Sequence, residues 1–450
     1  MERYATRVGI DLARRSNHKA VIVCDDRSGA DTRQKAFSFS HDLEGFEAFC
    51  ARVMKQTGKA SLEGVTVNME PTSGVWESVA CFLKNRGAEV YFTRPDVVSQ
   101  LRKVHSRFAK TDRIDADTLT RIPVSLPDRL IAIVDVAPRI RALRSLSAQR
   151  QRLVEDMVRW KSRFIAKAEM AWAPLFVHLD NEARDCVLVR AFFKKFCDPR
   201  EVVRYGQKRF ETWCRKTAHG NTSPDLFDTL WQGSAKAAAL WEEMERSGAM
   251  AVDWELFGNL LAQDLRLIEN LEAEVDLLDA QIKTARTQVP ECDLIEQLPG
   301  VGKVISVTLA GILMPVDRFA NTKKCGGYTG FTSRHKASAG REIQGLKITK
   351  NGNRRLKRDL ALAADTAMLN DPELAAFAIR LLTAGKHYNK VRVAVGRKIA
   401  VRAYSLLKRS ATGQADVAYI WRDLQGRTIT KQQAKSITNE LWTVYKAGRQ

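Results

Sequence analysis

The chain has no Cys-x-x-Cys pair, although it carries eight cysteines: Cys24, Cys50, Cys81, Cys186, Cys197, Cys214, Cys292 and Cys325. Scattered singly, they read as free, mostly buried thiols of a reducing compartment, and they indicate neither a zinc site nor a disulfide framework. The sequence also lacks an apolar run long enough to span a bilayer and a hydrophobic N-terminal signal segment. The expected location is therefore the cytosol, with no membrane partner. Acid is scarce as well: 52 Asp and Glu stand against 73 Lys and Arg, a formal net charge of +21. That imbalance makes a polyanion, nucleic acid above all, the leading partner. What is present is ample apolar content, 45% of 450 residues. It is spread along the chain, enough for two or three folded domains and not for a disordered tail.

The N-terminal part reads as strands first. RVGIDLA (7–13), KAVIVCDD (19–26) and RQKAFSFS (33–40) form a meander, followed by a helix around 43–54, a strand GVTVNMEP (64–71), a helix around 75–85 and a strand AEVYFTRP (88–95). Three strands and then alternating helix and strand predict a mixed sheet with helices packed on it, the order expected of an RNase H-like fold. The middle is helical. Leu146, Leu153 and Trp160 recur every seven residues with Leu143, Met157 and Phe164 between them, and Leu261, Ile268, Val275 and Ile282 repeat the pattern with Leu271 and Leu278. Two such helices suit an antiparallel coiled-coil-like arm with an elaborate tip, or alternatively one ordinary helical bundle. The expected division is 1–136, 137–288 and 289–450. Trp160, Trp172, Trp213 and Trp231 are read as core in preference to base-stacking residues.

The last segment opens on QLPGVGKVISVTLAGIL (297–313), a Pro-Gly-x-Gly turn before a helix. This is the pattern of a helix-hairpin-helix element, in which Gly300, Gly302 and Lys303 are placed to meet a phosphate; the plain alternative is an interhelical connection. A basic run follows, GLKITKNGNRRLKRDL, with Lys347, Lys350, Arg354, Arg355, Lys357 and Arg358. Turn residues and hydroxyls beside it favour phosphate contact over a merely solvated face.

Against this basic background, KTDRIDADTL (110–119) concentrates Asp112, Asp115 and Asp117. Asp112 and Asp115 share a helix face, three residues apart, and Asp117 points away. Asp11 ends the first apolar strand and Glu70 the fourth, where an unpaired carboxylate is costly to bury. In an RNase H-like sheet those strands are neighbours. Asp11, Glu70, Asp112 and Asp115 then converge as a hard-cation site, with magnesium the natural occupant beside phosphates. The bland alternative has the two aspartates decorating a helix while Asp11 and Glu70 pair with arginines.

VGIDLA, MEPTSGVW (69–76) and KTDRIDADTL, with LPGVGKVISVTLAGIL and RFANTKKCGGYTGFTSRHKASAGREIQGLKITKNGNRRLKRDL behind them, resemble the insertion-sequence transposases related to the Piv DNA invertase. The resemblance covers about half of the chain by motif. It implies a RuvC-like domain whose metal ligands fall on Asp11, Glu70, Asp112 and Asp115, a coiled-coil arm, and a mostly helical transposase domain whose serine falls on Ser338. It further implies a recombinase guided by a structured bridge RNA, acting on donor and target double-stranded DNA. Magnesium, a phosphoserine intermediate and a tetramer built from two dimers belong to the same implication. The sequence departs from the family in having Ser333 in place of a proline and Ala339 in place of a glycine, so Thr332 and Ser333 stay open as other nucleophiles. Two rival readings of the same residues are a metal-dependent nuclease or junction resolvase that uses water, and a non-catalytic scaffold for RNA or DNA.

Overall fold

The computed structural model describes residues 4–25, 31–33, 35–71, 74–106, 109–180, 183–218, 224–248, 252–332, 337–338, 341–342, 348–349 and 352–448. The chain divides into two compact units, Met1–Asp135 and Val136–Gln450.

The first unit is built on one mixed sheet. β1 (Thr6–Asp11) pairs antiparallel with β2 (His18–Asp25), setting Asp11 opposite Lys19. β3 (Asp31–Arg33) and β4 (Phe37–Phe39) both pair with β2, so the third strand expected over 33–40 is present in two pieces. The register explains the break: Val23 faces Arg33 but Ala20 faces Phe37, a slip of one residue. A single extra residue on one strand interrupts pairing in this way. Next come α1 (Leu43–Thr57), β5 (Thr66–Met69), α2 (Val75–Asn85), β6 (Glu89–Phe92), α3 (Pro95–His105), α4 (Asp112–Ser125) and the two-residue β7 (Ile131–Ala132). The sheet runs β3-β2-β1-β5-β6-β7, with β4 also on β2; β5 and β6 lie parallel to the central β1, and β7 is antiparallel to β6. Parallel strands joined by helices need cover on both faces, which is why β1 and β5 are almost continuously buried. One face packs Val8, Ile10, Val67 and Met69 against Phe49 and Val53 of α1 and Leu83 of α2. On the other, Ala116 of α4 meets Val21 and Val23. This mixed sheet with its helices is consistent with a RuvC-like domain.

The described residues of the second unit are mostly helical, with a short hairpin, β8 (Ala337–Ser338) and β9 (Arg341–Glu342), and an isolated bridge between Arg422 and Thr428. Its long helix α5 (Pro138–Phe176) departs from helical geometry at Trp172, two residues before Pro174, where a proline disturbs the preceding turn. α6 (Val187–Lys195), α7 (Pro199–Tyr205), α8 (Gln207–Ala218) and α9 (Pro224–Arg246) lead to a second long helix, α10 (Trp254–Arg286). Ion pairs Arg150–Asp279, Lys161–Glu272 and Lys167–Asp264 link α5 to α10, and as the first number climbs the second falls, so the two helices run antiparallel. Phe164 and Trp172 of α5 share a core with Phe192, Phe210, Leu261 and Ile268, and Trp160, Trp213 and Trp231 pack against it. A separate core joins Ile140 and Leu143, at the other end of α5, to α11 (Glu291–Glu296), α12 (Lys303–Leu313), α14 (Arg354–Ala367), α15 (Pro372–Thr383) and α16 (Tyr388–Ala411). The short α13 (Thr322–Tyr328) packs on α16, and α17 (Lys431–Ala447) on α15. Among the described residues no helix is long and apolar enough to cross a membrane.

Candidate active site

The sheet register brings the first two acids together. β1 and β5 are parallel with Ile10 beside Met69, so the next residue along each strand is Asp11 and Glu70. α4 crosses β1, β2 and β5. Its N-cap Thr111 accepts the Ile114 N–H at 3.2 Å, which starts the helix at Asp112 and places Asp112 and Asp115 in its first turn. A helix N-terminus favours negative charge there. The helix is held to the sheet by Asn68, a fully buried side chain whose Nδ2 donates to Leu119 O (2.9 Å) and whose Oδ1 accepts from Thr93 Oγ1 (2.9 Å).

The electrostatics record the convergence. Burial, and then the charges of Asp112, Asp115 and Glu70, push the Asp11 carboxyl up to about 7, with Lys110 opposing. Glu70 is raised too, by burial and then by Asp115, against Lys110 and Arg102. Carboxylates that raise one another in this way are held together against their own repulsion. Hard oxygen donors with an excess of negative charge fit a divalent metal. The four are not already drawn into a cage: among the described residues no group of three His, Cys, Asp or Glu side chains is arranged to hold an ion. One reason is visible at Asp115, where both oxygens accept from Arg102 Nη1, at 2.8 and 3.1 Å. Asp117, by contrast, is held by Arg33 and Arg121.

Sequence reading missed Arg102, which sits on a different helix thirteen residues upstream, where no periodicity marks a partner. It missed a histidine chain as well. Ala13, two residues beyond Asp11, donates its N–H to His18 Nδ1 (3.1 Å), so His18 Nε2 carries the proton and donates to His41 Nδ1 (2.8 Å). His41 Nε2 in turn donates to Ser78 Oγ (2.9 Å). His18 is fully buried, and burial, followed by His41, lowers it from 6.5 to about 4. Between those values the unfolded chain binds the proton and the folded chain does not. Stability contributed by neutral His18 is therefore complete above pH 6.5 and lost as the pH falls toward 4. Urea midpoints measured across that window are expected to fall on acidification in the wild type and to lose that component in His18→Gln; equal slopes in the two proteins would refute the assignment.

In the second unit the backbone of Ser338 lies in β8, where Ser338 faces Arg341. Thr332 precedes this hairpin, and the residues on either side of it are tied together. Thr349 N–H donates to Thr332 O (3.0 Å), Thr349 Oγ1 to Gly330 O (2.9 Å), and Lys357 Nζ to Thr349 O (3.0 Å). Ser333, Lys347 and Lys350 lie outside the described residues. Gly300 packs closely on α14: its φ is +75°, and a Cβ there would lie 2.1 Å from Ala363 O. Gly302 and Lys303 are exposed at the start of α12, which has no side-chain cap. Within the basic run Arg354 is exposed, Arg358 pairs with Asp359, and Arg355 and Lys357 are half-buried.

Two family models match the chain. One, for the DEDD transposases of the IS110 group, matches residues 8–170 and so contains all four acids. The other, the transposase IS116/IS110/IS902 family, matches residues 292–378 and contains Ser338 and the basic run. No curated protein matches the chain. The first match covers the acidic unit from residue 8 and runs on into α5, the second lies within the helical unit, and the chain belongs to the IS110-type insertion-sequence transposases, enzymes that cut and rejoin DNA.

Proposed function

We propose that the chain recombines DNA under the guidance of a structured bridge RNA that pairs with donor and target duplexes, working in the bacterial cytoplasm on nucleoid DNA. The observation that carries this reading is the alignment of Asp11 with Glu70 by the β1–β5 register, with Asp112 and Asp115 in the first turn of the helix laid across them. The basic excess of the chain and the family's chemistry support the rest. Asp11, Glu70, Asp112 and Asp115 hold magnesium, which when bound stabilises negative charge developing on the scissile phosphate. Ser338 is the nucleophile. Its Oγ forms a bond to phosphorus as the phosphorus–oxygen bond to the departing deoxyribose breaks, and the serine proton ends on the leaving oxygen or water. The phosphoserine conserves the bond energy, so rejoining to a new strand needs no ATP.

In this reading 1–136 is the RuvC-like domain, 137–288 a coiled-coil arm that assembles two dimers into a tetramer, and 289–450 the transposase domain. Gly300, Gly302 and Lys303, in a helix-hairpin-helix turn, and the basic run from Lys347 to Arg358 contact phosphates. The test uses purified protein, magnesium, RNA transcribed from the flanks of the gene and labelled DNA, separated on denaturing gels with and without protease. A protease-sensitive protein–DNA adduct that vanishes in Ser338→Ala is the expected result. Cleavage without an adduct, persisting in Ser338→Ala, identifies a water-using nuclease and removes the serine from the mechanism.

A further inference from the structure

Resting on the nucleic-acid reading above, we propose that Arg355 of α14, with Arg144 and Arg152 of α5, forms a seat for one backbone phosphate of a bound nucleic acid. The seat lies within the second unit, where α12 packs against both α5 and α14. Arg355 is half-buried, and its Nη1 has neither solvent contact nor a hydrogen-bond partner. A guanidinium nitrogen withdrawn from water without an acceptor is a costly arrangement that folded chains ordinarily resolve with a carboxylate.

Here the surroundings aggravate the cost. Arg144, Arg152 and Arg358 all act on Arg355 as like charges, and Asp359 is the acid that opposes them. Asp359 is nearly sealed from solvent; its Oδ1 accepts from Arg358 Nε (3.0 Å) and Nη2 (2.8 Å), its Oδ2 has no hydrogen-bond partner, and one carboxylate cannot balance four guanidinium groups. Arg144 is fixed in place, donating from Nε to Gly311 O (2.6 Å) and from Nη2 to Met314 O (3.4 Å) at the end of α12. Burial holds the Arg355 guanidinium below its ordinary range; Asp359 opposes the shift, and Arg144, Arg358 and Arg152 add to it.

Four guanidinium groups and one carboxylate leave an excess that an anion from outside the chain can balance. A phosphodiester fits, because its two non-bridging oxygens accept from several guanidinium forks at once. Arg355 is also in the first turn of α14, where the free amides of a helix start add positive potential. Arg152 is exposed, so the seat opens to solvent. Sequence patterning marks only Arg355, in the basic run; Arg144 and Arg152 lie outside it.

The test measures binding of the full-length protein to a labelled duplex DNA of arbitrary sequence and to a hairpin RNA of matched length, over a range of salt. Arg152→Gln is expected to weaken binding about tenfold and to flatten the salt dependence by about one counterion. Arg355→Met is expected to bind more weakly yet melt higher than wild type without nucleic acid, because a repelled charge has been removed. The double variant is expected to bind little worse than the weaker single one, since both arginines serve one phosphate. Loss on DNA or on RNA identifies which strand supplies it. If Arg152→Gln binds like wild type, or if Arg355→Met melts lower with unchanged binding, the seat is wrong while the nucleic-acid reading stands. Failure of the wild type to bind either probe would overturn that reading, and the seat with it.

Discussion

Asp11→Asn is expected to lower DNA strand cleavage about a thousandfold and, in the same protein, to raise the melting temperature measured in chelator. The two effects have one cause. Asp11 is pressed among Glu70, Asp112 and Asp115, and burial sharpens their repulsion. The amide keeps the shape of the side chain and removes its charge, so the metal-free fold gains what the repulsion had cost. Adding magnesium is expected to raise the melting temperature of the wild type by ligand linkage and to do much less for the variant. Thermal scans with chelator and with magnesium, run beside a cleavage assay, check both halves. A variant that cleaves normally removes Asp11 from the site, and one that melts lower in chelator shows that its carboxylate is a structural partner.

The second large effect falls on a residue with no side chain. A Cβ added at Gly9 would lie 2.0 Å from Ala116 O, 2.8 Å from Thr120 N and 2.9 Å from Leu119 Cβ, two of which are backbone atoms of α4 that no rotamer change can move aside. Gly9→Ala is therefore expected to destabilise the first unit by about 3 kcal/mol or more, the upper range for overpacking a close-packed core. The measurement is the urea midpoint. Because β1 carries Asp11 and α4 carries Asp112 and Asp115, any surviving folded protein is also expected to cleave poorly. A midpoint within error of wild type would show that α4 can lift off the strand without loss.

Much of this site was legible in the sequence, because each of its first two acids ends a buried apolar strand and the other two share a helix face. The order of strands and helices then made Asp11 and Glu70 neighbours. Other parts were not legible. The strand over 33–40 reads as continuous because its alternation persists across a one-residue slip that only pairing with β2 exposes. Arg102 closes on Asp115 from another helix, and Arg144 repels Arg355 from more than two hundred residues away in sequence, so neither pairing leaves a local pattern. At Gly300 the motif conceals a packing duty as well, seen in its positive φ and its closeness to α14.

The antiparallel α5 and α10 have a mechanical consequence. Leu143 is sealed in one core of the second unit and Phe164 in the other, and the span between them is roughly 30 Å at the helical rise per residue. A lone helix of that length bends easily, whereas two rods cross-braced by Arg150–Asp279 and Lys161–Glu272 resist both bending and sliding. The pair works as a ruler: it fixes the distance between its two ends, so a load applied to the tip is delivered to the base.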